Sequence, residues 1–269
     1  GIHAFDPDSK AEVFSVDTYG TTVDSAVELR SGDCNGAWLA GNVNACGDAS
    51  SWAGLVYRTA VATTVYVKVY VASSVSTAGT NVTLNVGRTG GACAQPSVLA
   101  IPNAGATPTT TSYTSVATPD ISTTAGASCD ATRALGAEIN ETRGFYFYGC
   151  PGKTARFHTC NVATGYDTIL SVRDGNACVG AERTCSDDSL PPVGTGTDDV
   201  CDVTGTCDRS RTSSAITTPG LYFLYVGGDG ACTTGTTGLT RSWCSVTGTE
   251  VCDGLDNDCD VYSDEGLFG

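Results

Sequence analysis

The feature that most constrains the fold is an internal repeat of one β-rich segment. The first copy spans 24–34 and the second spans 167–178, and each holds an aspartate, a strand, an arginine, a glycine turn and a cysteine. Each copy leads to an aromatic and β-branched run, at 65–70 and at 221–226. Short runs of this kind between Gly, Ser, Asp and Thr are typical of strands. We therefore predict an all-β fold of two tandem, disulfide-rich antiparallel β-sandwiches.

The repeat also predicts how the chain divides. We expect a first sandwich over 1–93, a Thr/Pro/Ser-rich connector over 94–128, a second sandwich over 129–248 and an acidic, cysteine-bracketed tail over 249–269. The second copy is preceded by several strand patterns, whereas the first copy is preceded by about one. We therefore expect the first sandwich to lack a strand or two. Either residues 97–101 fold back to fill the gap, or another molecule supplies the strand.

Composition indicates an extracellular protein. The chain has 14 cysteines and no C-x-x-C pair, which favours disulfides in an oxidising compartment over zinc. A net charge of −15 excludes a nucleic-acid footprint, and no apolar run is long enough to span a bilayer. Because no export leader is visible, we expect one to have been cleaved, or the sequence to come from a longer precursor.

All the cysteines are candidates for disulfides, although spacing alone does not determine connectivity. The repeat favours Cys34–Cys46 and Cys178–Cys185 as equivalent hairpin bridges. The other pairs that we expect are Cys93–Cys129, Cys150–Cys160, Cys201–Cys207, Cys232–Cys244 and Cys252–Cys259. Every bridge in this scheme is local, and each contributes roughly 2–3 kcal/mol in the entropic account.

The tail holds the sharpest ligand signal. Residues 252–266 read CDGLDNDCDVYSDEG, so two cysteines bracket carboxylates at alternate positions. Carboxylates this close repel one another unless a cation lies among them, and a hard, oxygen-rich set suits Ca²⁺. The candidate ligands are Asp253, Asp256, Asp258, Asp260, Asp264 and Glu265. The alternative is a solvated acidic tail closed by one disulfide.

Two further metal sites are weaker candidates. Asp167, Asp187 and Asp188 form a second candidate Ca²⁺ site, and the alternative is a solvated loop whose carboxylates cap turns. Gly1 and His3 could hold Cu²⁺ in a square-planar site if Gly1 is a free N-terminus. None of the common hydrolase, phosphate-binding or dinucleotide-binding motifs is present, so we expect no enzymatic activity.

The tail resembles the MopE-type metal-binding motif. The match runs over Cys252–Asp260 and Asp264–Gly266, with Val261 where the motif has glycine. In an EF-hand-like loop that glycine makes a sharp turn, so Val261 argues against an EF-hand conformation. The resemblance implies a copper or calcium ligand.

The repeat resembles the bacterial pre-peptidase C-terminal domain. In the second copy the resemblance rests on residues 167–168, 185–188 and 222–226, and the first copy matches with Ser25 in place of Thr. The resemblance implies a jelly-roll-like sandwich that accompanies an enzyme or surface protein without being catalytic itself.

These observations favour a secreted, non-enzymatic, calcium-stabilised structural protein of a cell surface or an extracellular filament. Its partners would be further copies of itself or a matrix component. One alternative is an accessory carbohydrate- or protein-binding module of a larger secreted enzyme, which would be favoured if Trp38, Trp52 and Trp243 were exposed on one sandwich face. Another is a copper-binding surface protein.

Overall fold

The computed structural model confirms an all-β protein built from antiparallel sheets. It describes residues 13–47, 52–59, 64–71, 81–88, 97–101, 108–114, 129, 143–160, 164–165, 167–175, 180–187, 209–228 and 235–244. Within these ranges no helix is long and apolar enough to cross a membrane.

The described strands fall into two groups, which we call the first unit and the second unit. The first unit holds β1 (Val13–Asp17), β2 (Ser25–Ser31), β3 (Trp38–Asn42), β4 (Gly54–Arg58), β5 (Val65–Val71) and β6 (Asn85–Arg88). The second unit holds β7 (Ser97–Val98), β8 (Thr109–Thr114), β9 (Arg143–Gly149), β10 (Thr154–His158), β11 (Thr168–Asp174), β12 (Glu182–Asp187), β13 (Arg211–Ala215), β14 (Gly220–Gly228) and β15 (Thr236–Cys244).

Each unit contributes two sheets. The first unit has the strand orders β3-β2-β5 and β4-β1-β6, and the second has β12-β11-β14-β9-β7 and β13-β10-β15-β8. All paired strands run antiparallel except β7, which lies parallel to β9. The three strands β3-β2-β5 correspond in order to β12-β11-β14, and β4-β1-β6 correspond to β13-β10-β15.

The repeat extends to backbone irregularities and buried hydrogen bonds. The β2–β3 ladder shifts register at Leu29/Arg30, and the β11–β12 ladder shifts at the equivalent step, Val172/Arg173. Thr18, which follows β1, is buried. Its hydroxyl forms a hydrogen bond with the Ser25 hydroxyl at 2.7 Å and accepts a hydrogen bond from the Ala53 amide at 2.9 Å. The same two contacts, at 2.7 and 3.0 Å, join Thr159, Thr168 and Ser210 in the second unit. The two units therefore share one local architecture.

Three hydrophobic clusters connect the four sheets in sequence. The first joins the two sheets of the first unit and includes Phe14 and Leu29, and another joins the two sheets of the second unit. The middle cluster lies between the units, where Val13 packs with Ile169 and Phe223. Strand β14 is buried from Leu221 to Gly228 because alternate side chains enter different clusters, which explains its unbroken apolar run. The two units thus share a core.

Two disulfides correct the expected local pairing. Cys46 is bonded to Cys150, 104 residues away, and Cys129 is bonded to Cys185, 56 residues away. The first bridge joins the two units. The expected pairs Cys34–Cys46, Cys178–Cys185, Cys93–Cys129 and Cys150–Cys160 are therefore wrong. The expectation assumed that bridges are local in sequence, whereas the fold brings together cysteines that are 104 and 56 residues apart.

The other cysteines are only partly covered by the described residues. Cys34 is a free, exposed thiol, although it was expected to be bridged. Cys160 and Cys244 are disulfide-bonded. The expected pairs Cys201–Cys207 and Cys252–Cys259 lie outside the described residues, as do Cys93, Cys178 and Cys232.

Strands β7 and β8 come from the segment that the sequence predicts to be a connector. Ser97–Val98 pair with β9 and Thr109–Thr114 pair with β15, so both strands extend sheets of the second unit. Residues 97–98 therefore do not fill the first unit, contrary to one of the two expectations. A hydrogen bond of 2.7 Å between the Thr110 and Thr240 hydroxyls helps to hold β8 against β15.

Candidate functional site

The metal ligands predicted from sequence are mostly outside the described residues. This holds for the whole tail, for Asp188 and for the N-terminal pair Gly1 and His3. Asp167 and Asp187 are described, and both are half-buried. They lie at the same end of the β11–β12 ladder, since Asp187 is the register partner of Ile169. No group of three His, Cys, Asp or Glu side chains that could hold a metal occurs among the described residues.

The three tryptophans do not share a face. Trp38 is 61% exposed at the start of β3, whereas Trp243 is buried in the core of the second unit. Trp52 is half-buried and contacts the rings of Tyr19 and Tyr148, with centroid distances of 5.2 and 6.0 Å. The three tryptophans therefore do not form the shared aromatic face that would favour a carbohydrate-binding module, and Trp38 is the most exposed of them.

The first unit is open on one side. In the second unit β14 is flanked by β9, and β15 is flanked by β8. Their counterparts in the first unit are β5 and β6, and among the described residues each of these pairs with a single strand. We call the edges of β5 and β6 the open side. Among the described residues, each of these two edges of the first unit has no strand where the second unit has one.

The two units also differ in how deeply side chains beside these edges are buried. Val69 on β5 and Leu84 before β6 are only partly buried at the margin of the first unit's core. By register their equivalents in the second unit are Val226 and Leu239, which are 3% and 0% exposed. The second unit covers these positions with β9 and β8. The open side therefore presents apolar side chains beside strand edges that no other described strand pairs, and such an edge is the usual acceptor for an added strand.

A buried carboxylate lies where the two units meet. The Asp17 side chain accepts hydrogen bonds from Asn85 Nδ2 at 2.7 Å and from the Tyr19 amide at 3.0 Å. Burial raises the pKa of the Asp17 carboxyl, and these hydrogen bonds offset part of the rise. Burial also raises the pKa of Tyr148, as does the nearby Asp17 charge. The Tyr148 ring lies against Gly54, where a Cβ atom would approach it to 2.5 Å.

Asp17→Asn is expected to stabilise the protein at about pH 8. The folded-state pKa of Asp17 is raised above the ordinary 3.8, so its contribution to stability is greatest at low pH and is lost as pH rises through the folded pKa. Asparagine keeps the acceptor oxygen and has no charge to bury. Thermal melts at about pH 4 and pH 8 should show the gain mainly at the higher pH. Asp33→Asn, at an exposed turn, is the control, and a variant less stable than the parent at pH 8 would contradict the assignment.

A groove lies beside Trp38, and it was not predicted from the sequence. The groove lies on the solvent-facing side of the sheet β3-β2-β5, and Tyr70 forms its far wall. The available signal was the alternation of Tyr66, Lys68 and Tyr70 along β5, which places two aromatic side chains and a cation on one face of the strand.

Comparisons with known proteins do not assign a function to the open side or to the groove. No protein-family model matches the chain, and no curated protein matches it. Neither resemblance described above therefore has independent support, and function rests on the open side, the groove and the predicted tail.

Proposed function

We propose that this protein is a secreted, non-enzymatic structural subunit of a cell surface or extracellular filament. In this proposal a strand from a neighbouring copy adds to the open side of the first unit. The observation that carries the proposal is the difference in strand number between two units of one architecture. The second unit fills the positions beside β14 and β15 from its own chain. In the first unit no described strand lies at the same positions, beside β5 and β6.

The chemistry of the open side supports strand addition over a solvated edge. In the second unit the added strand β9 contributes Phe145 and Phe147 to the core. A donor strand on the first unit would cover Val69 and Leu84 in the same way. Val71 and Val86, at 40% and 37% exposed, lie on the same two strands. Exposed apolar residues on long unpaired edges favour association between chains.

The disulfides and the predicted tail are consistent with this use. Covalent bridges across and within the units suit a protein that persists outside the cell. Calcium bound by Asp253, Asp256, Asp258, Asp260, Asp264 and Glu265 would order the tail, and we propose that the ordered tail docks on a neighbouring subunit. Assembly would then weaken on chelation and recover when Ca²⁺ is returned.

Light scattering after size exclusion and negative-stain imaging test the proposal. We expect assemblies of the purified protein, with slower hydrogen exchange at β5 than in the isolated monomer. Leu84→Lys should abolish assembly while the monomer stays folded, because a charge would lie under the incoming strand. Val43→Lys is the matched control, since Val43 is 59% exposed just after β3, at the other edge of the same unit. A parent protein that is monomeric with and without Ca²⁺ would refute the proposal.

A further inference from the structure

The groove beside Trp38 has the volume of a small-ligand site. Its volume is about 530 Å³, within the range of roughly 300–1,000 Å³ that is usual for ligand pockets. It is lined by Ala26, Val27, Glu28, Trp38, Gly41, Asn42, Val43, Asn44 and Tyr70. It is open to solvent along the outer face of the first unit.

Two aromatic rings and a floor of small residues shape the groove. The Trp38 indole lies over Gly41, where a Cβ atom would be 3.4 Å from Trp38 Nε1 and 3.2 Å from the Val27 carbonyl oxygen. The missing side chain at position 41 lets the indole lie close to the sheet. Tyr70 stands on β5 opposite Ala26, and Lys68 Nζ lies 4.9 Å from the centroid of the Tyr70 ring.

Polar groups are placed between the rings. Glu28 and Lys68 are register partners on β2 and β5, and Glu28 also forms an ion pair with Arg30. An aromatic wall with hydrogen-bonding groups beside it suits a ligand that is apolar on one face and polar at its rim.

The outer face of the sheet β3-β2-β5 differs from the face that forms the contact between the units, and this difference argues against an apolar protein–protein contact there. The equivalent face of the second unit packs on the first unit through Ile169, Phe223 and Tyr225. By register those positions are Ala26, Tyr66 and Lys68 in the first unit. The outer face of the first unit therefore does not have the large apolar side chains that form the contact between the units. On this face Trp38 is the register partner of Arg30. The equivalent arginine of the second unit, Arg173, is paired with Glu182, so Trp38 occupies the position of Glu182.

We propose that the groove binds an oligosaccharide, with one pyranose ring stacked on Trp38. The C–H face of a pyranose carries partial positive charge and fits the negative face of the indole. The ring hydroxyls would meet Glu28 and Lys68, which are register partners on this face. This site is independent of strand addition at the open side.

Titration with three trisaccharides tests this site, with tryptophan fluorescence and calorimetry as readouts. Cellotriose and maltotriose probe neutral sugars, and trigalacturonate probes whether Lys68 selects a carboxylate. We expect saturable binding of at least one sugar, with a fluorescence change from Trp38, the most exposed tryptophan. Trp38→Ala should weaken binding about 10- to 30-fold, the loss expected for an aromatic hot spot. Gly41→Val should also weaken binding, since it displaces the indole.

Two controls separate this site from the open side. Trp52→Phe should leave sugar binding unchanged, and so should Leu84→Lys, whereas Trp38→Ala should leave the assembly state unchanged. If none of the three sugars binds, or if Trp38→Ala binds as tightly as the parent, the proposal is wrong. If Trp38→Ala instead dissociates assemblies, the face is a contact between copies of the chain and the proposal is again wrong.

Discussion

Replacing Cys46 and Cys150 together with alanine is expected to lower the free energy of unfolding by about 2–5 kcal/mol. The bridge spans 104 residues, so reducing it returns a large loop entropy to the unfolded chain. It also joins the two units beside their cores, since Cys150 is 2% exposed. Alanine is preferred to serine because a buried hydroxyl would add a separate desolvation cost.

Urea unfolding under non-reducing conditions measures this effect. The free thiol Cys34 supplies the control, and Cys34→Ala should change the free energy of unfolding by no more than about 0.5 kcal/mol. Peptide mapping of the oxidised parent should recover the Cys46–Cys150 bridge. Recovery of a Cys34–Cys46 peptide in its place would contradict the structure.

Phe223→Ala is expected to lower the free energy of unfolding by about 3–5 kcal/mol. Phe223 is fully buried in the cluster between the units, and its ring centroid is 4.9 Å from that of Tyr146. Alanine would leave a cavity at the contact between the units, and the neighbouring side chains could fill it only in part. Because both units contribute to this core, we expect one cooperative transition that moves as a whole.

The repeat provides a matched control for this substitution. Tyr66 is the register equivalent of Phe223 in the first unit, but it lies on the outer face and is partly exposed. Tyr66→Ala should therefore destabilise the protein much less. Differential scanning calorimetry would distinguish the alternatives, since two separate transitions, with only one moved by Phe223→Ala, would mean that the units do not share a core.

Strand positions were largely predictable because the repeat and the apolar patterns agree. The run at 65–70 is nearly the whole of β5, and the run at 221–226 lies inside β14. Strand β8 was not predictable, since its residues are threonine, serine and a single tyrosine. Such a segment has no apolar alternation, and its place in the sheet depends on cross-strand contacts such as that between Thr110 and Thr240.

The candidate sites were predictable only in outline. The scarcity of strand patterns before Asp24 indicated an incomplete first unit, but Val69 and Leu84 look like ordinary core residues in the sequence. Their partial exposure depends on which strands lie beside β5 and β6. Likewise the sequence shows Trp38 as one tryptophan among three. Only the folded sheet shows that it lies on the outer face while Trp243 is buried.

The long span of the Cys46–Cys150 bridge sets an order for oxidative folding. The chain is made from its N-terminus at roughly 5–20 residues per second, so Cys150 follows Cys46 by about 5–20 s during synthesis. Cys34, only a short loop away, is available to Cys46 first. If Cys34 and Cys46 oxidise first, the native bridge forms by thiol–disulfide exchange, in which Cys150 attacks Cys46 and Cys34 leaves as the thiol. A disulfide isomerase would speed this exchange.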